Sequence, residues 1–347
     1  MKQSIAHALI GLVGGLLLAF VIYGEAKSAH TVLGVGNHVE ATLIFTGDIM
    51  LGRNVETLMN RNGNEYPFQF VTKDLLSVDA VISNFEGTIV DPHVQTPSQS
   101  TNFSFKPEVA TLLRSHNVQV VTLGNNHTYD HGVEGFSQTE NYLAKADVDF
   151  AGHPYRESIA DVLTKQIGET NLHFLSFNGT KSRFDIPAAI TVLKAVSATD
   201  HDPIVAIVHW GDEYVLMPNA FQIKFAHALI DNGAAFVIGH HPHVVQSVEM
   251  YKGRPIFYSL GNFIFDQYFS RETQEELALK LTVSDSSYIF DLLPLESFRS
   301  QPKFMENTDR SAFLTTLSKR SSENVKDAVA SGHIVIPIKS GFGEMLN

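Results

Sequence analysis

The chain has 347 residues, 44% of them hydrophobic, and a formal net charge of −12 at pH 7. That hydrophobic content supports a sizeable packed core and excludes a disordered protein, while the acidic balance argues against nucleic acid as a partner. The absence of cysteine excludes disulfides and thiolate ligands, so a metal site would have to use His, Asp, Glu and Asn side chains.

The first 26 residues have the pattern of a membrane anchor or a signal peptide. Lys2 is followed by 19 residues without a formal charge, Ile5 to Tyr23, a run just long enough to span a bilayer and longer than most signal-peptide cores. We predict a single-pass anchor through residues 5–23 that leaves the bulk of the chain outside the cell membrane, with a cleaved signal peptide and a secreted protein as the alternative. Residues 27–40 are predicted to be a tether, and residues 41–347 one domain.

From Ala41 onward, runs rich in β-branched residues alternate with segments of helical spacing. The predicted strands end in polar residues and are ATLIFTGDI, VDAVISNFE, VQVVTLGNNH, DPIVAIVHWGDE and AAFVIGHHPH. The predicted helices are PEVATLLRSHN, VEGFSQTENYLAKAD and PNAFQIKFAHALIDNG. This alternation is typical of an α/β fold with a largely parallel sheet, in which ligands collect at the carboxyl ends of the strands.

The C-terminal third has a different pattern. The runs RPIFYSLGNFIFDQ, EELALKLTVSD and SYIFDLLPL predict a strand-rich section, for which antiparallel pairing is one arrangement. Residues 296–347 contain a predicted helix near Arg310 to Ser318 and a last predicted strand, HIVIPIK. No motif in this tail assigns it a role, and a covering layer on the main domain is the default expectation.

Side chains able to bind a metal follow five of the predicted strands. They are Asp48, Asn84, Glu86, Asn125, Asn126, His127, Asp130, His209, Asp212, Glu213, His240, His241 and His243. If the strands are adjacent, these groups meet at one rim, where oxygen and imidazole ligands suit one or two divalent ions of Mn, Zn, Fe or Mg. Such an ion polarises a scissile bond and generates hydroxide near neutral pH.

The spacing of the histidines in GHHPH gives a geometric expectation. In an extended segment, side chains two positions apart point to the same side, so His241 and His243 are predicted to face the cluster and His240 to face away. Some single residues also fit simpler structural roles: Asp48 alone fits a turn or a helix cap, and Glu213 fits a solvated loop charge as well as an acid or base. Trp210 is predicted to pack in the core.

Six motifs occur in order between Thr42 and Asp266: FTGDIMLGR, SNFEGTIV, TLGNNHTYDHG, VHWGDEY, GHHPHVVQSVE and YSLGNFIFDQ. Together they resemble the CapA family of capsule synthesis proteins, also called PgsA-type poly-γ-glutamate synthesis proteins. That family is similar in fold to calcineurin-like metallophosphoesterases. The resemblance therefore implies a β-sandwich flanked by helices, in four layers αββα, with a metal site on its strand-end loops.

The resemblance also implies roles for individual residues. The implied metal ligands are Asp48, Glu86, Asn126, His127, His209, His241 and His243. The expected catalytic groups are His127, His209 and Glu213, and the expected substrate-binding groups are Arg53, Asn125 and Asn262. Two positions depart from the phosphoesterase pattern: Met50 replaces a histidine, and Asn84-Phe85-Glu86 replaces the bridging-aspartate motif, so that both one and two ions are consistent with the sequence.

The function implied by the resemblance is the synthesis or export of a capsule polymer such as poly-γ-glutamate. The expected partners are the anionic polymer or its membrane synthase complex, together with the membrane itself through residues 5–23. The alternatives are a secreted metal-dependent phosphoesterase and a non-catalytic scaffold for a membrane polymer synthase. The sequence leaves open whether the protein is an enzyme; if it is one, a metal-dependent hydrolase of amide or phosphoester bonds is the expected class.

Overall fold

The computed structural model describes residues 38–182, 184–199 and 201–338. The predicted anchor or signal peptide (residues 1–26) and most of the predicted tether (residues 27–37) lie outside the described residues. No helix in the described part of the chain combines the length and the apolar character needed to cross a bilayer.

The larger sheet is built around a central strand, β1. Its strands, in spatial order, are β16 (Gln301–Phe304), β15 (Ser287–Phe298), β14 (Glu275–Ser284), β1 (Val39–Ile49), β2 (Ala80–Phe85), β5 (Val118–Thr122) and β6 (Asp149–Ala151), with β13 (Asn262–Ile264) beside β1 and β17 (His333–Pro337) beside β15. The strands β1, β2, β5 and β6 are parallel, whereas β14 and β15 pair antiparallel. Both expectations for these segments are confirmed.

The smaller sheet supplies the second half of a sandwich. Its strands, in spatial order, are β11 (Val248–Tyr251), β12 (Arg254–Phe257), β10 (Phe236–His240), β9 (Ile204–His209), β8 (Thr170–Asn178) and β7 (Leu163–Ile167). A short separate pair is formed by β3 (Thr88–Ile89) and β4 (Ser104–Phe105). The strands β8, β9 and β10 are parallel. The hairpin of β7 and β8 was not anticipated from the sequence.

The helices follow the strands as the alternating pattern predicts. They are α1 (Arg53–Asn62), α2 (Thr72–Leu75), α3 (Glu108–Ser115), α4 (Gly132–Lys145), α5 (Ile186–Ser197), α6 (Ala220–Asp231), α7 (Asn307–Arg320) and α8 (Lys326–Ser331), with short 3-10 turns at Tyr66–Phe68 and Ile159–Asp161. The start of α6 is fixed by a capping box, because the Asn219 side chain accepts from the Gln222 backbone and the Gln222 side chain accepts in return. The helices α1, α2, α5 and α8 were not predicted.

Alternating side chains on β1 show how the layers are arranged. Leu43 and Phe45 point into the core between the sheets, where Phe45 meets Phe236 of the smaller sheet, and Ile44 points to the outer side. The outer face of the larger sheet is covered by α1, α3 and α4, and that of the smaller sheet by α5 and α6. The described residues therefore form four layers, αββα, which confirms the predicted β-sandwich flanked by helices.

The described part of the C-terminal tail belongs to the same core. Phe313 and Leu317 of α7 and Val329 of α8 are buried with the residues that lie between the sheets. The strands β16 and β17 extend the larger sheet along β15. At the other end of the domain, β1 begins at Val39, two positions before the predicted start of the domain.

The register of the strands places polar residues side by side at one rim. Asp48 of β1 pairs with Asn84 of β2, and His209 of β9 pairs with His240 of β10. Because parallel strands end at the same edge of a sheet, these residues lie at the carboxyl ends where ligands are expected. Gly47 allows a neighbouring segment to approach β1 there, since a Cβ at this position would lie 2.2 Å from the carbonyl oxygen of Gly261.

A buried carboxyl on β14 leads to a prediction about stability. Glu276 is 1% exposed and its Oε2 has no hydrogen-bond partner among the described residues, so burial raises its pKa well above the usual value. The folded state then keeps a proton that the unfolded state releases, and stability is lost as the pH rises above the unfolded pKa. We expect Glu276→Gln to unfold at a higher temperature than the parent chain, by a margin that grows as the pH rises above about 5, at up to about 1.4 kcal/mol per pH unit.

Thermal unfolding followed by circular dichroism measures this margin. The control is Glu296→Gln on the neighbouring strand, whose side chain is exposed. A margin that stays constant with pH for Glu276→Gln would show that Glu276 is charged in the folded protein.

Candidate metal centre

Side chains from both sheets converge at the rim. Asp48 lies at the end of β1, Glu86 follows β2, His127 lies in the loop after β5, His209 ends β9 and His243 follows β10. The Glu86 Oε1 atom lies 3.8 Å from His127 Nε2, 3.9 Å from His209 Nε2 and 3.7 Å from His243 Nε2. Residues from distant parts of the sequence thus surround one carboxylate.

Glu86 is the centre of this cluster and its least satisfied member. The side chain is fully buried, and neither carboxylate oxygen has a hydrogen-bond partner among the described residues. The pKa of Glu86 is raised well above its usual value, mainly by burial and secondly by repulsion from the Asp48 carboxylate. A buried carboxylate without hydrogen bonds is costly unless a positive charge lies beside it.

Asp48 has the opposite environment. Its carboxylate accepts from Asn84 Nδ2 at 2.8 Å and lies 3.4 Å from His243 Nδ1. The backbone N–H of His241 approaches it at 3.3 Å. Burial alone would raise the pKa of Asp48, but the imidazoles of His240 and His243 outweigh burial and hold it well below the usual range. Two adjacent carboxyls with opposite pKa shifts are an arrangement that a bound cation would relieve.

The prediction that His240 faces away from the cluster is wrong. His240 Nδ1 lies 3.2 Å from Asp48 Oδ1, although the two are not aligned as a hydrogen bond. The alternation that supported the prediction holds only in an extended chain, and it fails here because His240 is the last residue of β10. His241 and His243 follow with φ angles of 96° and 57°, in the left-handed region. All three rings are therefore turned toward the rim cluster.

His209 and His241 contact each other directly. His209 Nε2 lies 3.2 Å from His241 Nδ1. Burial lowers the pKa of His209 well below its usual value and that of His241 to about 4. Burial therefore favours the neutral form of both rings, in which each ring carries one N–H.

His243 is held from behind by a side-chain amide. Its Nδ1 lies 3.0 Å from Asn262 Oδ1, and the Asn262 amide donates to Gln267 Oε1 at 3.1 Å and to the Thr273 carbonyl at 3.0 Å. Burial alone would lower the pKa of His243, but Glu86 and Asp48 outweigh it and raise the pKa to about 9. A cation at Nε2 would take the place of the second ring proton.

The loop after β5 supplies two further groups. His127 is oriented by Asp130, whose Oδ2 lies 2.8 Å from Nδ1, and its ring stacks on Phe103 with a centroid distance of 3.9 Å. This leaves His127 Nε2 directed toward Glu86. The neighbouring Asn126 has a buried Oδ1 without a hydrogen-bond partner among the described residues, which suits a ligand.

Two groups of three side chains have ligand atoms close enough to hold an ion, within 4.8 Å of one another. The deep group is Asp48, Glu86 and His243, all buried, and the mouth group is exposed Glu213 with His241 and His243. Glu213 lies in the loop after β9, which is joined to the histidine loop by a hydrogen bond from the Tyr214 backbone to the Pro242 carbonyl at 2.8 Å. That exposed position suits both of its predicted roles, a solvated loop charge and an acid or base.

The amides predicted to bind substrate are committed to protein partners. Asn125 is fully buried, and its amide donates to Asn84 Oδ1 and to the Phe85 carbonyl. Both N–H groups of Asn262 are likewise used within the protein. The prediction that these two amides contact substrate does not fit, because they have no donor left for it; they position Asn84 and His243 instead.

Arg53 is held beside the site and does not point freely into it. Its guanidinium bonds to the Asp266 carboxylate and the Ser100 carbonyl, and it lies over the ring of Phe103 at 4.6 Å. The Phe103 ring also stacks on His127. Arg53 therefore supports the wall that carries a site histidine.

The sequence did not reveal the roles of Asn84 and His240. For Met50 it showed only that a methionine replaces the histidine of the phosphoesterase pattern. The Met50 side chain is buried, and its sulfur accepts from the Gly52 N–H at 3.2 Å, so the thioether belongs to the outer core. For His240, the crowding of three histidines was a signal that strand alternation wrongly discounted. Trp210 packs in the core as predicted, with its Nε1 donating to the Tyr258 carbonyl at 2.9 Å.

Comparison with known proteins gives consistent matches. The family model described as bacterial capsule synthesis protein PGA_cap matches residues 42–267. The chain is 30% identical over 304 residues to the capsule biosynthesis protein CapA of Bacillus anthracis. This alignment covers 81% of this chain and 74% of that protein. It is also 30% identical over 318 residues to the PGA biosynthesis protein CapA of Bacillus subtilis (strain 168), covering 87% and 83% respectively. A crystal structure of a hypothetical protein from Thermus thermophilus aligns with a TM-score of 0.45 at 18% identity, covering 75% of this chain and 95% of that one.

The buried carboxylates predict that divalent ions stabilise the fold. We expect Zn²⁺ or Mn²⁺ at about a hundred times its dissociation constant to stabilise the folded chain by about 2.7 kcal/mol, and chelation to reverse this. Glu86→Gln should lose most of the effect because it removes the central carboxylate. Differential scanning fluorimetry with and without the ion measures the shift.

The control for this measurement is Glu323→Gln, whose carboxylate is 90% exposed and which should respond to the ion like the parent chain. An equal shift in Glu86→Gln and the parent chain would place the ion away from the rim.

Proposed function

The chain belongs to the bacterial capsule synthesis protein PGA_cap family, and from this membership we propose that it is a metal-dependent component of capsule polymer synthesis or export. The polymer class that we propose is anionic and of the poly-γ-glutamate type, because one relative is a PGA biosynthesis protein and another a capsule biosynthesis protein. The observation that carries the metal-dependent part is the buried, unpartnered carboxylate of Glu86 among imidazole nitrogens.

The residues present at the rim fit a divalent cation. Both oxygens of Glu86 lack a hydrogen-bond partner among the described residues, as does Asn126 Oδ1. The donor set is made of carboxylate and amide oxygens and imidazole nitrogens, which suits Mn, Zn, Fe or Mg in a chain without cysteine. Asp48, Glu86 and His243 are the proposed ligands of the deep group.

A cation at this position would also explain how an acidic protein contacts an acidic polymer. The chain carries 37 acidic and 25 basic residues, and Glu213 stands exposed at the mouth of the site. Repulsion between like charges would oppose the binding of a polycarboxylate there. A bound divalent cation supplies the missing positive charge and polarises a carbonyl or phosphoryl oxygen of the substrate.

The residues around the ion supply orientation and proton transfer. Asp130 and Asn262 fix the rings of His127 and His243, so that their Nε2 atoms face Glu86. Glu213 is exposed beside His241 and His243. We propose that it acts as the acid or base, accepting a proton from the reacting group and releasing it to solvent. The proposed reaction is hydrolysis or transfer at an amide or phosphoester bond of the polymer or its precursor.

We expect His243→Ala to lower the amount of cell-surface polymer by about tenfold or more, because it removes a ligand of the deep group. The measurement is the polymer yield of cells whose own copy is replaced by the variant. Glu323→Ala, an exposed change far along the chain, is the control and should sustain full yield.

Full polymer yield from a stably expressed His243→Ala chain would contradict a metal-dependent role and favour a non-catalytic scaffold. A secreted phosphoesterase would be favoured instead if His243→Ala cells made a normal amount of polymer while the parent chain, but not His243→Ala, hydrolysed a generic phosphodiester.

The proposed location is the outer face of the cell membrane, with residues 5–23 as a single-pass anchor. The support is the uncharged run itself and the early Lys2 that favours a cytoplasmic start. We expect the full chain in the membrane fraction and a chain lacking residues 5–23 to be absent from it, as measured by cell fractionation and immunoblotting. A full chain recovered from the culture medium with a shortened N-terminus would indicate a cleaved signal peptide.

A further inference from the structure

A groove outside the metal rim lies between β16, the outermost strand of the larger sheet, and the start of α7. It consists of a cavity of about 550 Å³ and an adjoining one of about 190 Å³, which share Phe304 and Met305. We propose that this edge groove is the docking site for a segment of another protein that carries basic and apolar side chains. The proposal goes beyond the metal-dependent function and does not depend on it.

The apolar lining of the edge groove is largely open to water. Phe298 is 73% exposed and Phe70 is 51% exposed, and Phe304 and Met305 are half-buried. Contiguous exposed apolar surface marks an interaction site, and aromatic residues and methionine are enriched where protein partners meet. The groove therefore offers two aromatic anchors and an apolar floor.

The exposure of Phe298 is built into the fold. Phe298 precedes a two-residue turn in which Arg299 and Ser300 have φ angles of 51° and 63°, as a type I′ hairpin turn requires. The Tyr66 hydroxyl donates to the Arg299 carbonyl at 3.2 Å. The Ser300 hydroxyl donates to the Phe265 carbonyl at 2.8 Å. Because the turn is fixed on both sides, a partner that covers Phe298 pays little entropy to order it.

Phe70 is held against the same turn. Gln301 Nε2 donates to the Tyr66 carbonyl at 2.8 Å and to Gln69 Oε1 at 3.0 Å. The two exposed rings are thus carried by segments that are hydrogen-bonded to each other, which makes them a preorganised pair.

The charged side chains of the groove select the sign of the occupant. Four carboxylates and two cations line it, namely Asp74, Glu296, Glu306 and Asp309 with Lys303 and Arg310. None of the four carboxylates forms an ion pair with another described residue. The Arg310 guanidinium is engaged by the Leu292 carbonyl at 3.4 Å. Unpaired carboxylates around an apolar floor complement a segment that carries both Lys or Arg and apolar side chains.

The same charges argue against other occupants. An anionic polymer or an anionic lipid surface would meet four carboxylates and be repelled. A second copy in a two-fold contact would place this acidic patch against itself. A different protein with a basic segment has neither problem.

The edge groove adjoins the metal rim through Phe265. Its carbonyl accepts from Ser300 at the turn, and its ring centroid lies 4.8 Å from that of His243. A partner seated in the groove would therefore lie beside one wall of the metal site.

Photocross-linking tests the proposal in cells whose own copy is replaced by the full-length variant. The cross-linking residue p-benzoylphenylalanine replaces Phe298 in one variant and Phe70 in a second, which covers the case in which the first fails to fold. The control position is Leu76, which is 56% exposed and does not line the groove. We expect both groove positions, and not Leu76, to give an adduct that mass spectrometry assigns to a net positive, apolar segment of another protein.

Charge reversal checks the electrostatic part. Glu306→Lys with Asp309→Lys should lower the adduct yield from position 298 by about tenfold or more, because lining carboxylates become cations. Glu323→Lys with Asp327→Lys reverses two exposed carboxylates outside the groove and should leave the yield unchanged. Thermal unfolding of each variant checks that it is folded.

Several results would overturn the inference. They are an adduct to a second copy, to another segment of the same chain, to lipid or to polymer, an equal adduct from Leu76, and no adduct from either groove position. A yield that stays constant on charge reversal in the groove would overturn it as well.

Discussion

The structure depends on a pair of buried carboxylates, Asp48 and Glu86, placed beside each other at the end of the central strands. Burying one ionised carboxylate costs several kcal/mol, and burying two with oxygens within 4.8 Å of each other costs more, because their charges repel each other where the dielectric is low. The arrangement survives because imidazole rings surround the pair and because a large core stabilises the strands that carry it. A divalent cation is the partner that would let both carboxylates ionise.

Glu276 shows what the same burial does without such neighbours. It is as deeply buried as Asp48, but its pKa moves in the opposite direction, because burial raises it and no imidazole among the described residues favours the charged form. The contrast shows that the low pKa of Asp48 is caused by the histidines of the rim and not by burial. Perturbed carboxyls mark a functional site only where charge partners converge on them.

Side-chain amides fix the orientation of the other polar side chains at the rim. Asn84, Asn125 and Asn262 each have their donors engaged within the protein, and each sets the direction of a neighbouring group: Asn125 orients Asn84, Asn84 orients His209, and Asn262 orients His243. Fixing the tautomer of an imidazole decides whether it offers a lone pair or a proton. Exposed Glu213 stands at the mouth, where a charged substrate would first meet the ion.

The sequence by itself determined the α/β class, the strand ends that carry polar side chains, and the family to which the chain belongs, because periodicity and motif order are properties of consecutive residues. The strands and helices with strong patterns around the rim lie where they were predicted, whereas β7, β8 and α5 were missed because the segments that form them carry no motif. The sequence also named Asp48, Glu86, His127, His209 and His243, which the fold brings together at one rim. Only the tertiary structure decided the direction of His240 and the roles of Asn84, Asn125 and Asn262. These depend on left-handed φ angles after β10 and on hydrogen bonds between strands far apart in the chain, and no local pattern encodes either.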